Sequence, residues 1–389
     1  MADFDVLVVG GGPAGAVAAR IAADAGARVL LVERRSTLEE PAACAGLVSP
    51  RTLPVLGAST ACVLRRHRRV SFHAPGGAAL SFCATTDRAL VIDRSLLETE
   101  LLARARGAGV DVRLGATAVS WQGGVLRFTT ASGEEAATGR VLVGADGPSS
   151  AVAAWAGLRP HLFPLRAAQA EVIAPDSDGI EVFVGRDVAP GFFAWSIPAQ
   201  LDRLRVGLAV PAPADPALYL DRLLEAQFAG CAVASRVEAA IPAPDSRRPI
   251  ARDDVLLVGD AAGHVKPLSG GGLYFGGLCA RRAGRAAASA ARAPETRAAS
   301  LREYEEGCRT LLGPETRFGE RAAGLRDALE DADWDSVFTL LNRPEFVALV
   351  ERHVDLDHLR FLAPRLVGHP LLWRTLFDAW SVVRASAAA

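Results

Sequence analysis

The sequence predicts an α/β protein in which a parallel-sheet domain is interrupted by an inserted antiparallel β-rich block and followed by a C-terminal helical segment. Three observations carry this expectation. The apolar run within residues 5–10, an alanine-rich helical stretch at 13–25 and a second apolar run from Arg28 to Glu33 make a βαβ opening. Between about 163 and 245, short apolar runs alternate with proline-marked turns at Pro190, Pro198, Pro211 and Pro213, around one helix near 216–227. After a strand at Val255–Val258, a glycine-rich turn leads into a helix over 272–291. Beyond a turn near Pro294 the chain reads mostly as helix, broken by Pro344, Pro364 and Pro370.

The remaining elements fall between these landmarks. Residues 61–92 alternate apolar runs with Gly and Thr turns, so strands leave and re-enter the first domain before a helix over 95–106. Residues 109–146 form a chain of short strands ending in Arg140-Val-Leu-Val-Gly-Ala-Asp146. The expected division is one discontinuous domain from 1–60, 90–160 and 250–320, a β-rich domain from 61–89 and 161–249, and a helical end from 321–389. The Ala/Arg-rich stretch 280–300 reads as helical bias rather than a disordered linker.

Composition removes several function classes. The chain has 389 residues, half of them hydrophobic, and a formal charge of −1. It carries no basic block interleaved with aromatics, which argues against a nucleic-acid partner. The arginines Arg65, Arg66, Arg68 and Arg69 form a short cluster expected on a strand or loop. Six cysteines show neither CxxC pairing nor metal spacing, so most are expected to be buried and reduced. The N-terminus lacks a secretory pattern, and a cytoplasmic location is expected. No apolar run approaches the ~20 residues needed to span a bilayer. A mean hydropathy of +0.20 is compatible with peripheral membrane contact.

Gly10-Gly-Gly12-Pro13-Ala14-Gly15 follows a strand and opens a helix, and Glu33 closes the next strand. That context marks a Rossmann-type dinucleotide site. The first glycine permits the tight turn, the second lets a pyrophosphate approach the backbone, and the third lets helix and strand pack closely. The diphosphate then faces the helix N-terminus. Glu33, followed by Arg34, is placed to meet the adenosine ribose, and an acid there repels a 2′-phosphate. Lys266 is the only lysine among 43 basic residues, which suggests a position needing a compact ammonium rather than a planar guanidinium.

Gly144-Ala-Asp146-Gly147-Pro-Ser-Ser150 and Val258-Gly259-Asp260-Ala-Ala-Gly263 resemble the second and third fingerprints of FAD enzymes with the para-hydroxybenzoate hydroxylase fold. The resemblance implies FAD as cofactor, with Asp260 on its ribityl chain and Gly270, Gly271 and Gly272 facing the isoalloxazine. Arg94, in Val91-Ile-Asp-Arg94-Ser-Leu-Leu, matches an arginine that such enzymes set near the cofactor; a solvated first-turn residue is the equal alternative.

Three further stretches narrow the family. Cys44-Ala-Gly46-Leu-Val-Ser49-Pro50, Pro190-Gly-Phe-Phe193-Ala-Trp195-Ser-Ile-Pro198 and Gly259–Gly276 together resemble the geranylgeranyl reductase family, and the match extends to Phe361–Pro370. The resemblance implies saturation of isoprenoid C=C bonds by reduced flavin, with an apolar tunnel over the flavin for a hydrophobic isoprenoid or lipid substrate. It implies that Cys44 lies near the reactive face as proton donor or polariser, an inert buried thiol being the alternative, and that Lys266 stabilises charge on the reduced ring. Of Phe192, Phe193, Trp195, Tyr274 and Phe275, aromatics able to line such a tunnel, Phe193 and Trp195 are the favoured pair, with Tyr274 as a third. His264 is expected behind the motif rather than in it. The electron donor is NADPH, NADH or ferredoxin, the last acting as a redox partner protein.

Three other readings compete. A flavin monooxygenase on the same fold is weakened by Ala153, where many hydroxylases carry an arginine, and that change also puts direct use of NADPH in doubt. A flavin halogenase is suggested by Phe193-x-Trp195-x-Ile197-Pro198 but lacks an early lysine. A carrier protein without turnover would leave Cys44 and Lys266 without a task.

Overall fold

The computed structural model describes residues 2–38, 44–158, 165–244, 247–293 and 297–369. The expected turn near Pro294 and the break at Pro370 lie outside the described residues.

The βαβ opening forms as Val6–Val9, the helix Pro13–Asp24 and Val29–Glu33. Every residue of both strands is buried, as parallel strands covered on two faces require. They lie in a six-stranded sheet ordered Ala251–Arg252, Val255–Leu257, Val141–Gly144, Val6–Val9, Val29–Glu33 and Asp111–Leu114. All its pairings are parallel except the first, which is a hairpin. The helix Pro13–Asp24 is held against Leu273–Arg292 by small residues: Ala18, Ala22, Ala283 and Ala287 are almost fully buried. A Cβ on Gly284 would lie 2.4 Å from the Ala18 carbonyl oxygen. Alanine and glycine therefore serve close helix approach in this part of the chain.

A second, seven-stranded sheet draws Arg69–His73 and Ala79–Cys83 from early in the chain and Leu165–Ile173 through Ala232–Ile241 from the middle. Its pairs are antiparallel except Ile180–Phe183 with Arg69–His73. The parallel pair arises because two segments far apart in sequence meet there and no hairpin joins them. Among the described residues two small sheets complete the β-structure: the meander Thr117–Gln122, Val125–Thr130, Gly133–Thr138, and a sheet of Leu47–Val48, Ala89–Ile92 and Val63–His67. Helices Arg94–Gly107 and Pro216–Gln227 match their expected positions.

One local expectation needs correction. Pro198 does not mark a turn; it lies inside the strand Ala194–Gln200. The register shifts between Pro198 and Gln200, and a bulge is where a strand tolerates a residue without an N–H. Its carbonyl bonds the buried His67 Nε2 at 2.8 Å. The helix Arg297–Ala328 also runs through Pro314, although proline removes one ladder bond. The arginine cluster lies on the consecutive strands Val63–His67 and Arg69–His73, with Arg68 between them, and is paired with Asp176, Asp87 and Asp178.

Candidate active site

The glycine fingerprint adopts three distinct geometries. Gly10 has φ +105°, and a Cβ there would meet the Ala145 carbonyl oxygen at 2.2 Å. Gly15 packs so closely that a Cβ would sit 1.9 Å from the Gly10 oxygen. Gly12, at the N-cap of Pro13–Asp24, has open space on its Cβ side, and the helix start has no side-chain cap. Its first amides are thus left for a ligand, which fits the diphosphate of a dinucleotide.

Three cavities run in series past this turn. The first, about 340 Å³, is lined by Gly10, Gly12, Glu33, Arg34, Asp146 and Gly147 among others. The second, about 300 Å³, shares Gly12 and Gly147 with the first and adds Pro13, Ala14, Cys44, Arg94, Asp260, Lys266 and Gly270–Gly272. The third, about 290 Å³, shares Cys44, Ser49, Lys266 and Gly270 with the second and is otherwise largely apolar, with Phe193, Trp195, Ile180 and Ile197 in its walls.

At the first cavity the Glu33 carboxylate is fully engaged. Gly11 N–H donates to Oε2 at 2.6 Å, and Arg35 donates its amide and Nε to Oε1 at 3.0 and 2.9 Å. Burial disfavours the charge, but these bonds outweigh it and hold the carboxyl below its ordinary 4.5. Arg34 is exposed at the rim. Asp146 borders the cavity while accepting from Ser150 Oγ at 2.6 Å and Val152 N at 3.1 Å, so it also fixes the start of the helix Ala151–Trp155. The depressed Glu33 pKa makes its stabilising contribution complete above pH 4.5 and lost as pH falls through the lower folded value. Glu33→Ala is expected to weaken FAD retention by about 1–3 kcal/mol and to flatten the acid limb of stability, read by flavin titration and by melting at several pH values. An unchanged FAD affinity would exclude Glu33 from the site.

The middle cavity holds Arg94 and Cys44, both expected from the sequence, with partners that sequence reasoning missed. Arg94 does not point into solvent. Its guanidinium bonds Glu98 one turn later, and the buried Glu98 carboxylate also takes Arg35 at 3.0 Å. Burial works against the Arg94 charge, but the Cys44 sulfur and Glu98 outweigh it and raise its pKa. Arg94 Nε is buried without a partner among the described residues, which leaves a donor for a ligand. The i,i+4 spacing of Arg94 and Glu98 was the available signal. Cys44 is half-buried, and its Sγ accepts the Gly46 amide at 3.4 Å. Arg205, also missed, reaches from the seven-stranded sheet to donate to the Ala45 and Ile92 carbonyls at 2.8 and 3.1 Å. That approach explains Gly46, where φ is +68° and a Cβ would lie 2.3 Å from Arg205 Nη1.

The third motif forms the floor. Val255–Leu257 leads into a turn, Gly259–Ala262, and Gly263 and Gly270 take positive φ. Gly272 starts the 20-residue helix Leu273–Arg292 without a side-chain cap. Asp260 lies deep in the cleft, open to the cavity but walled by protein, and this burial raises its carboxyl pKa. His264 is buried behind the turn, as expected, and its Nδ1 accepts the Gly259 amide at 3.2 Å.

Lys266 is not a free ammonium. Its Nζ donates to the Leu356 carbonyl at 2.9 Å and lies 3.3 Å from the buried Asp357 carboxylate, which also takes Ser49 Oγ. Nothing local to Lys266 in the chain points to Asp357, because 91 residues separate the pair. The three predicted aromatics also divide. Phe193 and Trp195 line the apolar cavity, their rings edge to face at 6.0 Å, and Trp195 lies over Gly207. Tyr274 instead borders the middle cavity beside His358 and Arg51. Phe192 and Phe275 are core residues.

A fold with the Rossmann sheet, this glycine turn and an acid at the second strand end defines a dinucleotide-binding protein, and its likeness to FAD-binding and reductase families makes it an FAD-dependent oxidoreductase. Residues 3–196 match the family described as FAD binding domain. The chain is 31 % identical over 371 residues to digeranylgeranylglycerophospholipid reductase 2 of Methanopyrus kandleri, spanning 90 % of this chain and 93 % of that one. In three dimensions it is similar to a geranylgeranyl bacteriochlorophyll reductase-like protein of Thermoplasma acidophilum, with a TM-score of 0.83 at 22 % identity over 92 % and 99 % of the two chains. A p-nitrophenol 4-monooxygenase of Pseudomonas putida shares the fold with a TM-score of 0.71 at 18 % identity, over 90 % and 96 %. The chain belongs to the geranylgeranyl reductase family.

Proposed function

We propose that this enzyme saturates C=C bonds of an isoprenoid or prenyl-lipid substrate. The observation that carries the reading is the position of Cys44, on the wall shared by the glycine-lined cavity and the apolar one. Bound FAD, once reduced, supplies the hydride. An isolated alkene is a poor hydride acceptor, so the second carbon needs a proton as the first receives hydride. Cys44 is the proton donor. Its sulfur accepts the Gly46 amide, Arg94 and Arg205 flank it, and Glu98 fixes Arg94 in that place. Phe193, Trp195, Ile180 and Ile197 hold the apolar chain and exclude water. Gly10, Gly12, Pro13, Ala14, Gly15, Glu33, Arg34, Asp146, Gly259, Asp260 and Gly270–Gly272 hold FAD in this reading.

The proposed division of labour gives residues 1–60, 90–160 and 250–320 to FAD, 61–89 and 161–249 to the substrate, and 321–389 to a helical end. Among the described residues no helix is long and apolar enough to cross a membrane. A lipid substrate would reach the site through peripheral contact with a bilayer, and reducing equivalents would come from NADPH, NADH or a ferredoxin-like partner. The test is anaerobic mixing of the dithionite-reduced protein with prenyl lipids, followed by product mass. A gain of two hydrogens supports the reductase; oxygen added only in air would replace it with a monooxygenase.

Lys266 carries a separate expectation. Lys266→Met removes a positive charge from the cavity and leaves Asp357 without its ammonium, so the flavin potential should fall, by about 30 mV for each 1.4 kcal/mol. The double variant Lys266→Met with Asp357→Asn removes both charges and should restore most of that shift. Potentiometric titration giving one potential for all three proteins would reduce Lys266 to a structural anchor.

A further inference from the structure

Behind the flavin-facing turn lies a group of side chains that the proposed reaction does not use. His264 from the turn, Cys279 from the helix Leu273–Arg292 and Cys308 from the helix Arg297–Ala328 are all buried, with their ligating atoms within 4.8 Å of one another. Two chemistries suit two thiols and an imidazole: a soft metal ion, or thiol–disulfide exchange. The histidine distinguishes them. Its Nδ1 accepts the Gly259 amide at 3.2 Å, so the neutral ring keeps its proton on Nε2 and has no second lone pair for a metal. It acts here as a donor.

We infer that Cys308, Cys279 and His264 form a peroxide-reactive dithiol centre, with Cys308 as nucleophile and Cys279 as the resolving thiol. The burial pattern sets the order of attack. A small cleft is lined by Arg248, Ile250, His264, Cys308, Arg309 and Thr316, and Cys279 is not in its walls. Only a small oxidant fits, and it meets Cys308 first. The Cys308 thiol is pulled down to about 5, chiefly by a hydrogen bond from Cys279 and, against the cost of burial, by His264 and Tyr304. The lowered value favours the thiolate, the nucleophilic form. The titratable and charged groups facing the pair are His264 from the turn, Arg282 beside Cys279, Tyr304 and Glu305 from the second helix, and Arg248 and Arg309 in the cleft.

The co-reactant is hydrogen peroxide. Cys308 sulfur attacks one peroxide oxygen; the S–O bond forms, the O–O bond breaks, and hydroxide leaves and is protonated to water. The Cys279 sulfur then attacks Cys308, the S–S bond forms, the S–O bond breaks, and a second water leaves. Overall, two thiols and one peroxide give one disulfide and two waters. The bond draws together the two helices behind the turn that carries Asp260, and it deprives His264 of its acceptor. The inference concerns the cofactor side of the fold and holds whatever the alkene substrate is.

The test uses the FAD-loaded wild-type protein, treated with equimolar hydrogen peroxide, quenched by alkylation, digested and mapped by mass. The expected product is a Cys279–Cys308 peptide two hydrogens lighter than the reduced pair, reversed by dithiothreitol, with a rate already level by neutral pH. In Cys279→Ser the sulfenic acid at Cys308 should persist and be trapped by dimedone added in denaturant, after the peroxide has been removed. His264→Gln should slow the reaction at pH 6, about tenfold for each unit by which the Cys308 pKa rises above that pH. Cys308 remaining alkylatable while the exposed Cys83 oxidises would overturn the inference. So would stoichiometric zinc or copper in the purified protein that is lost in Cys308→Ser, which would make the group a metal centre. The wild-type map needs no variant, so a folding defect cannot blur it.

Discussion

Cys44→Ala is expected to bind FAD and accept electrons as the wild type does, yet to saturate its alkene about 10²- to 10⁴-fold more slowly, the value of one positioned proton donor. The geometry makes the split between steps sharp. The Cys44 side chain borders the two cavities and accepts the Gly46 amide within its own loop, and that loop is also fixed by Arg205 through the Ala45 and Ile92 carbonyls. Removing the sulfur should therefore spare flavin binding. Arg94 loses a neighbour but keeps Glu98. Stopped-flow reduction followed by reoxidation with a prenyl substrate separates the half-reactions. If both proceed at wild-type rates, Cys44 only packs, and the proton comes from another group.

How much of this was legible in the chain depends on the range of each interaction. The glycine turn, Glu33 and the Gly259–Gly272 motif are local patterns, and each is tied to strand and helix starts that periodicity reveals. They fell into place together in one row of cavities. Arg94 was ambiguous until Glu98 was seen as its partner, although their helical spacing was available. Arg205, Asp357 and the Cys279–Cys308 pair were not legible, because each meets its partner only when separate elements pack. Arg205 lies on a strand of one sheet and bonds carbonyls beside another, and Asp357 joins a C-terminal turn to Lys266. Pro198 misled for a related reason: a bulge that frees its amide position is set by the partner strand, not by neighbours in sequence.

The second large effect separates binding from folding within a single turn. In Gly12→Ala the new methyl meets no atom of the described residues within 4 Å, and φ −64° with ψ 176° suits any residue. The apo-protein should keep its stability to within about 0.5 kcal/mol. The methyl projects where a diphosphate must approach the helix amides, so FAD affinity should fall by about 1.5–3 kcal/mol for each amide–phosphate bond lost, which is tenfold or more. Gly15→Ala gives the opposite pattern. Its methyl would lie 1.9 Å from the Gly10 oxygen and 3.0 Å from Ala145 Cβ, so the helix Pro13–Asp24 must move off the sheet. Overpacking of that kind costs about 1–3 kcal/mol or more, and it should appear in denaturation of the apo-protein before any flavin is added. Denaturant titration of both apo-proteins beside FAD titration of each tests the pair. Full FAD affinity in Gly12→Ala would mean that the open side of this turn is not where the diphosphate lies, and the three cavities would then need a different occupant.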